Sequence, residues 1–255
     1  MRFTVVIPAR YGSQRLPGKP LALIHGRPLI LHVCDRAGES GAAEVIVATD
    51  DARVREACIA ADLKVEMTSA SHASGTDRIA EVAERLGWDD EALVVNLQGD
   101  EPMMPAGDIE QVATLLASHP ECQLATLCTP IHGIDEYMNP NVVKLTADQD
   151  GHALYFSRAP IPWNRDSAPA GLASQDQHQG ALRHIGLYAY RVGALKRLAA
   201  TLPCALEQLE KLEQLRALWL GMGIAVDVAR AVPGPSVDTP EDLARVVSLM
   251  AESTK

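Results

Sequence analysis

The stretch Pro8-Ala9-Arg10-Tyr11-Gly12-Ser13-Gln14-Arg15-Leu16-Pro17-Gly18-Lys19-Pro20 lies between an apolar run, Phe3-Thr4-Val5-Val6-Ile7, and a proline-led segment, Pro28-Leu29-Ile30. The apolar run reads as a buried strand, and the proline-led segment as a helix start with proline in its first turn. A glycine-containing loop with two arginines and a lysine, set between the first strand and first helix, suits a polyphosphate. Its backbone N–H groups can face the phosphates and its cations can neutralise them. The loop is not a Walker A motif: five residues separate Gly12 from Gly18, and Pro20 follows the lysine where Ser or Thr belongs. It is not GxGxxG either, which argues against a dehydrogenase-type dinucleotide site.

Downstream of this loop, strand and helix signals alternate. Strands are predicted at 44–49, 64–67 and 92–97, and helices from Asp50 or Asp51 to 60, at 75–86 and at 106–118. This βαβα order implies an α/β fold with a layered, mostly parallel sheet. The pattern then changes. Strands at 142–145 and 153–156 flank an Asp150-Gly151 turn. Residues 160–163 break regular structure, and 164–180 reads as a polar, mobile loop. A strand at 183–190, one helix at 206–220, a strand at 224–228 and a closing helix at 240–250 follow. The simplest organisation is a single domain over 1–255. Residues of approximately 1–130 and 224–255 would form a nucleotide-binding core, with a smaller lobe at approximately 131–223.

Composition narrows the function classes. The 255 residues are 47% hydrophobic and 22% charged, ordinary for a globular protein. A net charge of −10 argues against broad nucleic-acid binding. No secretory signal or membrane-length apolar segment is visible, so a cytoplasmic protein without membrane insertion is expected. Cys34, Cys58, Cys122, Cys128 and Cys204 are scattered without a CxxC. That spacing suits a reducing compartment and argues against structural zinc.

Gln98-Gly99-Asp100-Glu101-Pro102 follows the strand that ends at Leu97. Ligands in open parallel sheets sit beyond the carboxyl ends of strands, which places Asp100 on the same edge as the basic loop. A carboxylate facing a triphosphate makes sense with Mg²⁺ between them; Gly-Asp-Glu-Pro is also good turn chemistry. Val237-Asp238-Thr239-Pro240-Glu241-Asp242 offers a second acid, although Asp238 or Thr239 can simply cap a helix that begins at Pro240.

These three motifs together resemble the 3-deoxy-manno-octulosonate (Kdo) cytidylyltransferase family. The likeness runs essentially end to end and includes Ser74-Gly75-Thr76-Asp77-Arg78, Asn139-Pro140-Asn141-Val142-Val143-Lys144, Tyr155-Phe156-Ser157-Arg158, Arg183-His184-Ile185-Gly186-Leu187-Tyr188 and Leu212-Glu213-Gln214-Leu215-Arg216. The resemblance implies a Rossmann-like, GT-A-like nucleotidyltransferase fold. It implies transfer of CMP from CTP to the anomeric hydroxyl of Kdo, releasing pyrophosphate, in lipopolysaccharide assembly. Arg10, Arg15 and Lys19 would then hold the triphosphate beside Pro8 and Ala9, with Arg15, Lys19, Asp100 and Asp238 at the reacting centre. Asp100 and Asp238 would bind Mg²⁺. Residues 71–78, with Ser74, Gly75 and Arg78, would select the base, near Gln98. Gln98, Arg158, His184, Tyr188, Glu210 and Gln214 would hold the sugar.

At about 100° per residue, Glu207, Glu210 and Gln214 share one face of the helix predicted at 206–220, with Leu209, Leu212, Leu215 and Trp219 on another. Where the family often has His, this chain has Gln208. A homodimer follows from the resemblance alone. Alternatives are a cytidylyltransferase for 8-amino-Kdo or another sugar acid such as sialic acid, and a nucleotide-binding regulatory protein without turnover.

Overall fold

The computed structural model describes residues 1–252 apart from Gln14, Ala73 and Pro169. Three points of the sequence reading thus fall outside the described residues: Gln14 of the basic loop, Ala73 of the 71–78 segment and Pro169 of the 164–180 stretch. The first half contains β1 (Phe3–Ala9), β2 (Leu23–Ile24), β3 (Arg27–Pro28), α1 (Leu29–Gly38), β4 (Glu44–Thr49), α2 (Ala52–Ile59), β5 (Lys64–Met67), α3 (Gly75–Arg85), β6 (Leu93–Asn96) and α4 (Ala106–Ser118). The second contains β7 (Leu124–Pro130), α5 (Ile134–Met138), β8 (Lys144–Ala147), β9 (Ala153–Ser157), β10 (Leu182–Arg191), α6 (Val192–Ala199), α7 (Ala205–Glu210), α8 (Gln214–Trp219), β11 (Ile224–Val228) and α9 (Pro240–Glu252).

The main sheet has the order β11-β7-β10-β6-β1-β4-β5. β1 pairs in parallel with β4 and β6, β4 with β5, and β7 with β11. β10 is antiparallel to both β6 and β7, so it alone on this path runs against the others. The α/β, mostly parallel fold read from the sequence is therefore present. β8 and β9 form an antiparallel extension from β10. β10 lies within 131–223, the range read as a second lobe, yet it occupies the middle of the main sheet.

The central strands are apolar on both faces because helices cover both. Val5, Ile7, Val47 and Val95 point to the face covered by α1, α4 and α9, and join Leu29, Ile109 and Val246 there. Val6, Ile46, Ala48 and Val94 point the other way, toward Ile79, Leu195 and Leu215 of α3, α6 and α8. Full burial of a Val, Leu or Ile is worth about 1.5–3 kcal/mol, so these two layers outweigh any single helix cap. The caps set the boundaries: Asp51 accepts from the backbone of Arg53 at the start of α2, and Ser74 and Asp77 form a reciprocal capping box at the start of α3.

Two readings need correction. The strand β7 was not anticipated, nor were α5, α6 and the β2–β3 hairpin. Its sequence, Leu-Ala-Thr-Leu-Cys-Thr-Pro, is buried at six consecutive positions and shows no alternation to mark it. The single helix predicted at 206–220 is instead two helices, α7 and α8, broken at Lys211, whose φ is +55°. A non-glycine residue in that conformation costs about 1–2 kcal/mol. Buried tertiary contacts offset it: the Arg216 guanidinium clasps the Glu207 carboxylate across the break at 2.8 and 2.5 Å, with both side chains buried. Leu209 and Trp219, read as part of an apolar face, are exposed, whereas Leu212 and Leu215 are buried. The polar stretch 164–180 contains two short 3-10 turns, Arg165–Ser167 and Leu172–Ser174, and buries Gln175.

Candidate active site

A cleft of about 850 Å³ opens at the carboxyl ends of β1 and β6. Its lining includes Pro8, Ala9, Arg10, Arg15, Lys19, Ser74, Gly75, Arg78, Gln98, Asp100, Arg158, His184, Tyr188, Gln214 and Asp238. These are all of the site residues expected from the sequence except Glu210. The antiparallel strand β10 brings its early residues to this edge, with Tyr188 opposite Asn96 of β6.

The basic loop is organised from within. The Tyr11 carbonyl accepts from the backbone N–H groups of Ser13 at 2.9 Å and Gly18 at 3.2 Å. Gly18 has φ +71°, and a Cβ there would stand 2.9 Å from the Tyr11 hydroxyl oxygen, so only glycine closes this turn. The turn delivers Lys19 to two carboxylates. Its Nζ lies 2.6 Å from Asp100 Oδ2 and 3.1 Å from Asp238 Oδ1. Burial works to lower the Lys19 ammonium, but the two carboxylates outweigh it and hold it above its ordinary value. Arg15, 67% exposed, reaches Asp238 at 3.0 Å. Such an open pair is weak, and Arg15 can exchange partners cheaply. Arg10 is exposed and has no ion-pair partner among the described residues.

Asp238 reaches the cleft because other groups cap α9. Thr239 Oγ1 accepts from the Asp242 backbone N–H at 3.2 Å, and Asp242 Oδ2 accepts from the Thr239 backbone at 2.9 Å. Capping and cleft-facing roles are thus divided between neighbours. Asp100 Oδ1 is buried and has no hydrogen-bond partner among the described residues. An orphaned carboxylate oxygen beside a second carboxylate, with a lysine ammonium already between them, is a donor set that fits a hard divalent cation. Burial, together with the like charge of Asp100, pushes the adjoining Glu101 up to about 7.

Arg78 lies buried under the start of α3, bound to Asp50 at 2.8 Å and to Thr68. Thr76, in the first turn of α3, donates to Glu213 Oε2 at 2.8 Å. Glu213 lines the cleft, and burial holds its carboxyl above the ordinary range against the opposing Thr76 hydrogen bond. The sequence reading placed Glu210 here. In the structure Glu210 does not line the cleft; its carboxylate accepts from Ser157 Oγ at 2.7 Å and the Arg158 backbone N–H at 2.9 Å. The break at Lys211 turns Glu213 and Gln214 inward and leaves Glu210 behind Arg158. A helix-face calculation cannot see such a break, since it assumes an unbroken helix.

The remaining cleft residues are held by bonds to backbone. β10 carries a bulge between Ile185 and Tyr188, a device that re-aims side chains near sites. Gln98 Nε2 donates to the Gly186 carbonyl there at 3.0 Å, and a Cβ on Gly186 would meet that nitrogen at 2.6 Å. Thr126 Oγ1 lies 2.8 Å from the Leu187 carbonyl, which takes its proton, and 3.0 Å from His184 Nε2. His184 therefore donates through Nε2–H and keeps a lone pair on Nδ1. Burial lowers its pKa to about 3. Tyr188 Oη and Gln214 Nε2 are buried without hydrogen-bond partners among the described residues. Arg158 donates through Nε to the Glu210 carbonyl at 2.7 Å and through Nη1 to the Pro140 carbonyl at 3.0 Å.

Beneath this loop Lys144 is fully buried, its ammonium donating to the carbonyls of Asn139, Val142 and Arg158 at 2.7–2.9 Å. Burial, and then the Arg158 charge, lowers it. Glu213, Thr76 and Lys144 carry no signal at short range that marks them as site residues; each is placed by contacts across the fold.

Residues 4–224 match the cytidylyltransferase family profile. The 3-deoxy-manno-octulosonate cytidylyltransferase of Alkalilimnicola ehrlichii is 57% identical over 98% of this chain and 96% of its own length. That of Marinobacter nauticus is 56% identical over 98% of this chain and 97% of its own. A solved CMP:2-keto-3-deoxy-manno-octonic acid synthetase complexed with CTP superposes with a TM-score of 0.89 at 43% identity, covering 99% of this chain and 100% of the other. A cytidylyltransferase from Leptospira borgpetersenii, at 16% identity and a TM-score of 0.65 over 99% of this chain and 87% of its own, shares the fold. With full-length identity at this level and a cleft whose acids and cations fit a nucleoside triphosphate, this chain belongs to the 3-deoxy-manno-octulosonate cytidylyltransferase family.

Proposed function

We propose that this chain transfers CMP from CTP to the anomeric hydroxyl of Kdo, giving CMP-Kdo and pyrophosphate for lipopolysaccharide biosynthesis. The observation that carries the reading is Lys19 held between Asp100 and Asp238 in a cleft whose other wall presents buried polar groups. The attacking hydroxyl loses its proton to solvent and forms a bond to the α-phosphorus as the bond to pyrophosphate breaks in line. Such chemistry depends on positioning and charge neutralisation. Arg10, Arg15 and Lys19 neutralise the triphosphate and the charge that grows on the leaving pyrophosphate. Arg15 and Lys19 leave their carboxylate partners as the phosphates arrive. Asp100 and Asp238 would hold Mg²⁺, which supplies charge neutralisation at the α-phosphate and a lower pKa for the sugar hydroxyl. No side chain is assigned as a base.

The start of α3, with Ser74 and Gly75, faces the cytosine, and Arg78 braces it through Asp50. Gln98, Arg158, His184, Tyr188 and Gln214 contact Kdo, joined by Glu213 in place of Glu210. The unpartnered Tyr188 Oη and Gln214 Nε2 support that reading, since buried polar groups without partners invite a ligand. Apart from Gln98, the sugar contacts lie in residues 131–223, which also carry self-association as a homodimer. Leu154, Leu202, Leu209 and Trp219, four of the six large apolar side chains more than 60% exposed among the described residues, belong to that range. No helix among the described residues is long and apolar enough to cross a membrane, and the five cysteines are unpaired. Both fit an enzyme acting in the cytoplasm.

Pyrophosphate release tests the reading. Release that requires both CTP and Kdo, with UTP and 8-amino-Kdo run in parallel, supports it. CTP binding without release from any pair would replace it with a regulatory nucleotide-binding protein. Light scattering at one subunit mass would remove the dimer.

A further inference from the structure

At the opposite edge of the sheet from Asp100, three donor atoms of different chemistry converge. Glu121 and Cys122 precede the amino end of β7, and His152 enters β9. A carboxylate oxygen of Glu121, Cys122 Sγ and a ring nitrogen of His152 all lie within 4.8 Å of one another. His152 Nε2 is 3.2 Å from Glu121 Oε1, and Cys122 Sγ is 4.0 Å from the same oxygen. In a tetrahedral zinc site, ordinary bond lengths put such donors about 3.3–3.6 Å apart. The constellation therefore needs movements of only about an ångström to close on an ion.

The surroundings orient these donors. His152 Nδ1 faces Asp148 Oδ2 at 3.3 Å, the carboxylate–histidine arrangement that turns the far nitrogen toward a metal. His119 Nδ1 is engaged by the Leu115 carbonyl at 2.9 Å, which leaves its Nε2 with a lone pair. The two imidazole rings meet edge to face with centroids 6.1 Å apart. The nearby Arg191 cation is directed elsewhere, donating to the Cys122 carbonyl at 3.0 Å and to Glu91 at 3.1 Å.

We propose that Glu121, Cys122 and His152 form a binding site for a borderline divalent cation of the zinc class, with a fourth position open to water. Thiolate, imidazole and carboxylate together select Zn²⁺ over Mg²⁺. Without the ion, the site rests as a hydrogen-bonded cluster in which Glu121 and Asp148 favour the protonated imidazole. On binding, the cation displaces the Cys122 thiol proton and any imidazolium proton to solvent and forms metal–sulfur and metal–nitrogen bonds. The scattered cysteine spacing concealed this site because His152 lies in the β8–β9 turn, distant in sequence and adjacent only in the fold. Its occupation would tie the α4–β7 connection to that turn, independently of the catalytic cleft.

The test is a zinc titration of the full chain against a chromogenic chelator, in parallel with thermal melts. One equivalent should bind and raise the melting temperature. Both effects should vanish in the surface variants His152→Ala and Glu121→Gln, while magnesium-supported pyrophosphate release stays unchanged. The equivalent should persist in Asp100→Asn, which separates this site from the cleft. Cobalt(II) should give a thiolate-to-metal charge-transfer band that Cys122→Ser abolishes. Failure to bind an equivalent overturns the proposal. So does an equivalent that survives both surface variants, or a cobalt complex without the thiolate band.

Discussion

The two walls of the cleft are built on opposite principles. The wall at the ends of β1 and β6 is ionic: Lys19, Arg15, Asp100 and Asp238 neutralise one another in a chain of short contacts. The wall from β10, β9 and α8 is desolvated, with His184 held neutral by burial and Tyr188 Oη and Gln214 Nε2 lacking partners. The first wall stores charge that a triphosphate can exchange. The second stores unmet hydrogen-bonding capacity that a hydroxyl-rich sugar acid can satisfy. Electrostatic partners can be swapped at little structural cost, whereas buried neutral groups must be positioned by the surrounding fold.

The contrast is broken most severely at Asp100. Asp100→Asn keeps the shape and removes the charge, so turnover should fall on the order of 10²–10³-fold, as when one preorganised electrostatic contact is lost. Near-normal pyrophosphate release at saturating magnesium would remove Asp100 from the metal role. On the desolvated wall the largest effect should come from Lys144→Met. Three buried carbonyls lose their donor, and an unmade buried hydrogen bond costs about 1–3 kcal/mol. Urea denaturation should show a loss of about 3 kcal/mol, and KM should rise for Kdo while that for CTP barely moves. An equal rise in both would mean that Lys144 supports the whole fold and not the Arg158 loop in particular.

A finer comparison sets Glu213 against Glu210. Glu213→Gln should raise KM for Kdo roughly tenfold, the scale of one hydrogen bond to a charged group. Glu210→Gln keeps an acceptor for Ser157 and should stay within about threefold. The reverse ranking would return Glu210 to the sugar site.

The smallest effect concerns His184. Its folded-state pKa lies below the unfolded value, so the unfolded chain takes up the proton first. The stability that neutral His184 contributes is complete above about pH 6.5 and is lost as pH falls toward 3. Imidazole resonances should show no titration of His184 between about pH 5 and 8. A midpoint at the ordinary histidine value would mean that this wall is hydrated.

The ionic wall was legible along the chain because each part is local. A loop after β1, an acid after β6 and an acid before α9 all lie at strand or helix ends, where topology alone brings them together. The capping ambiguity at Asp238 was resolved only when Thr239 and Asp242 proved to cap each other. The desolvated wall was read through family resemblance, which named Glu210 where the structure has Glu213 lining the cleft. Glu210 and Glu213 sit on one apparent helix, and periodicity offers no reason to break it at Lys211.

By itself, then, the sequence determined the alternation of apolar strands and capped helices, the edge of the sheet where ligands gather and the charges of the phosphate-facing loop. These follow from backbone geometry and short-range chemistry. Tertiary structure alone decided that β10 enters the sheet antiparallel between β6 and β7. It also decided that the 206–220 segment bends around the Glu207–Arg216 pair and that Glu213, not Glu210, faces the cleft. Each of these depends on burial and pairing between residues distant in sequence, and such contacts acquire their energy only when the chain has closed around them.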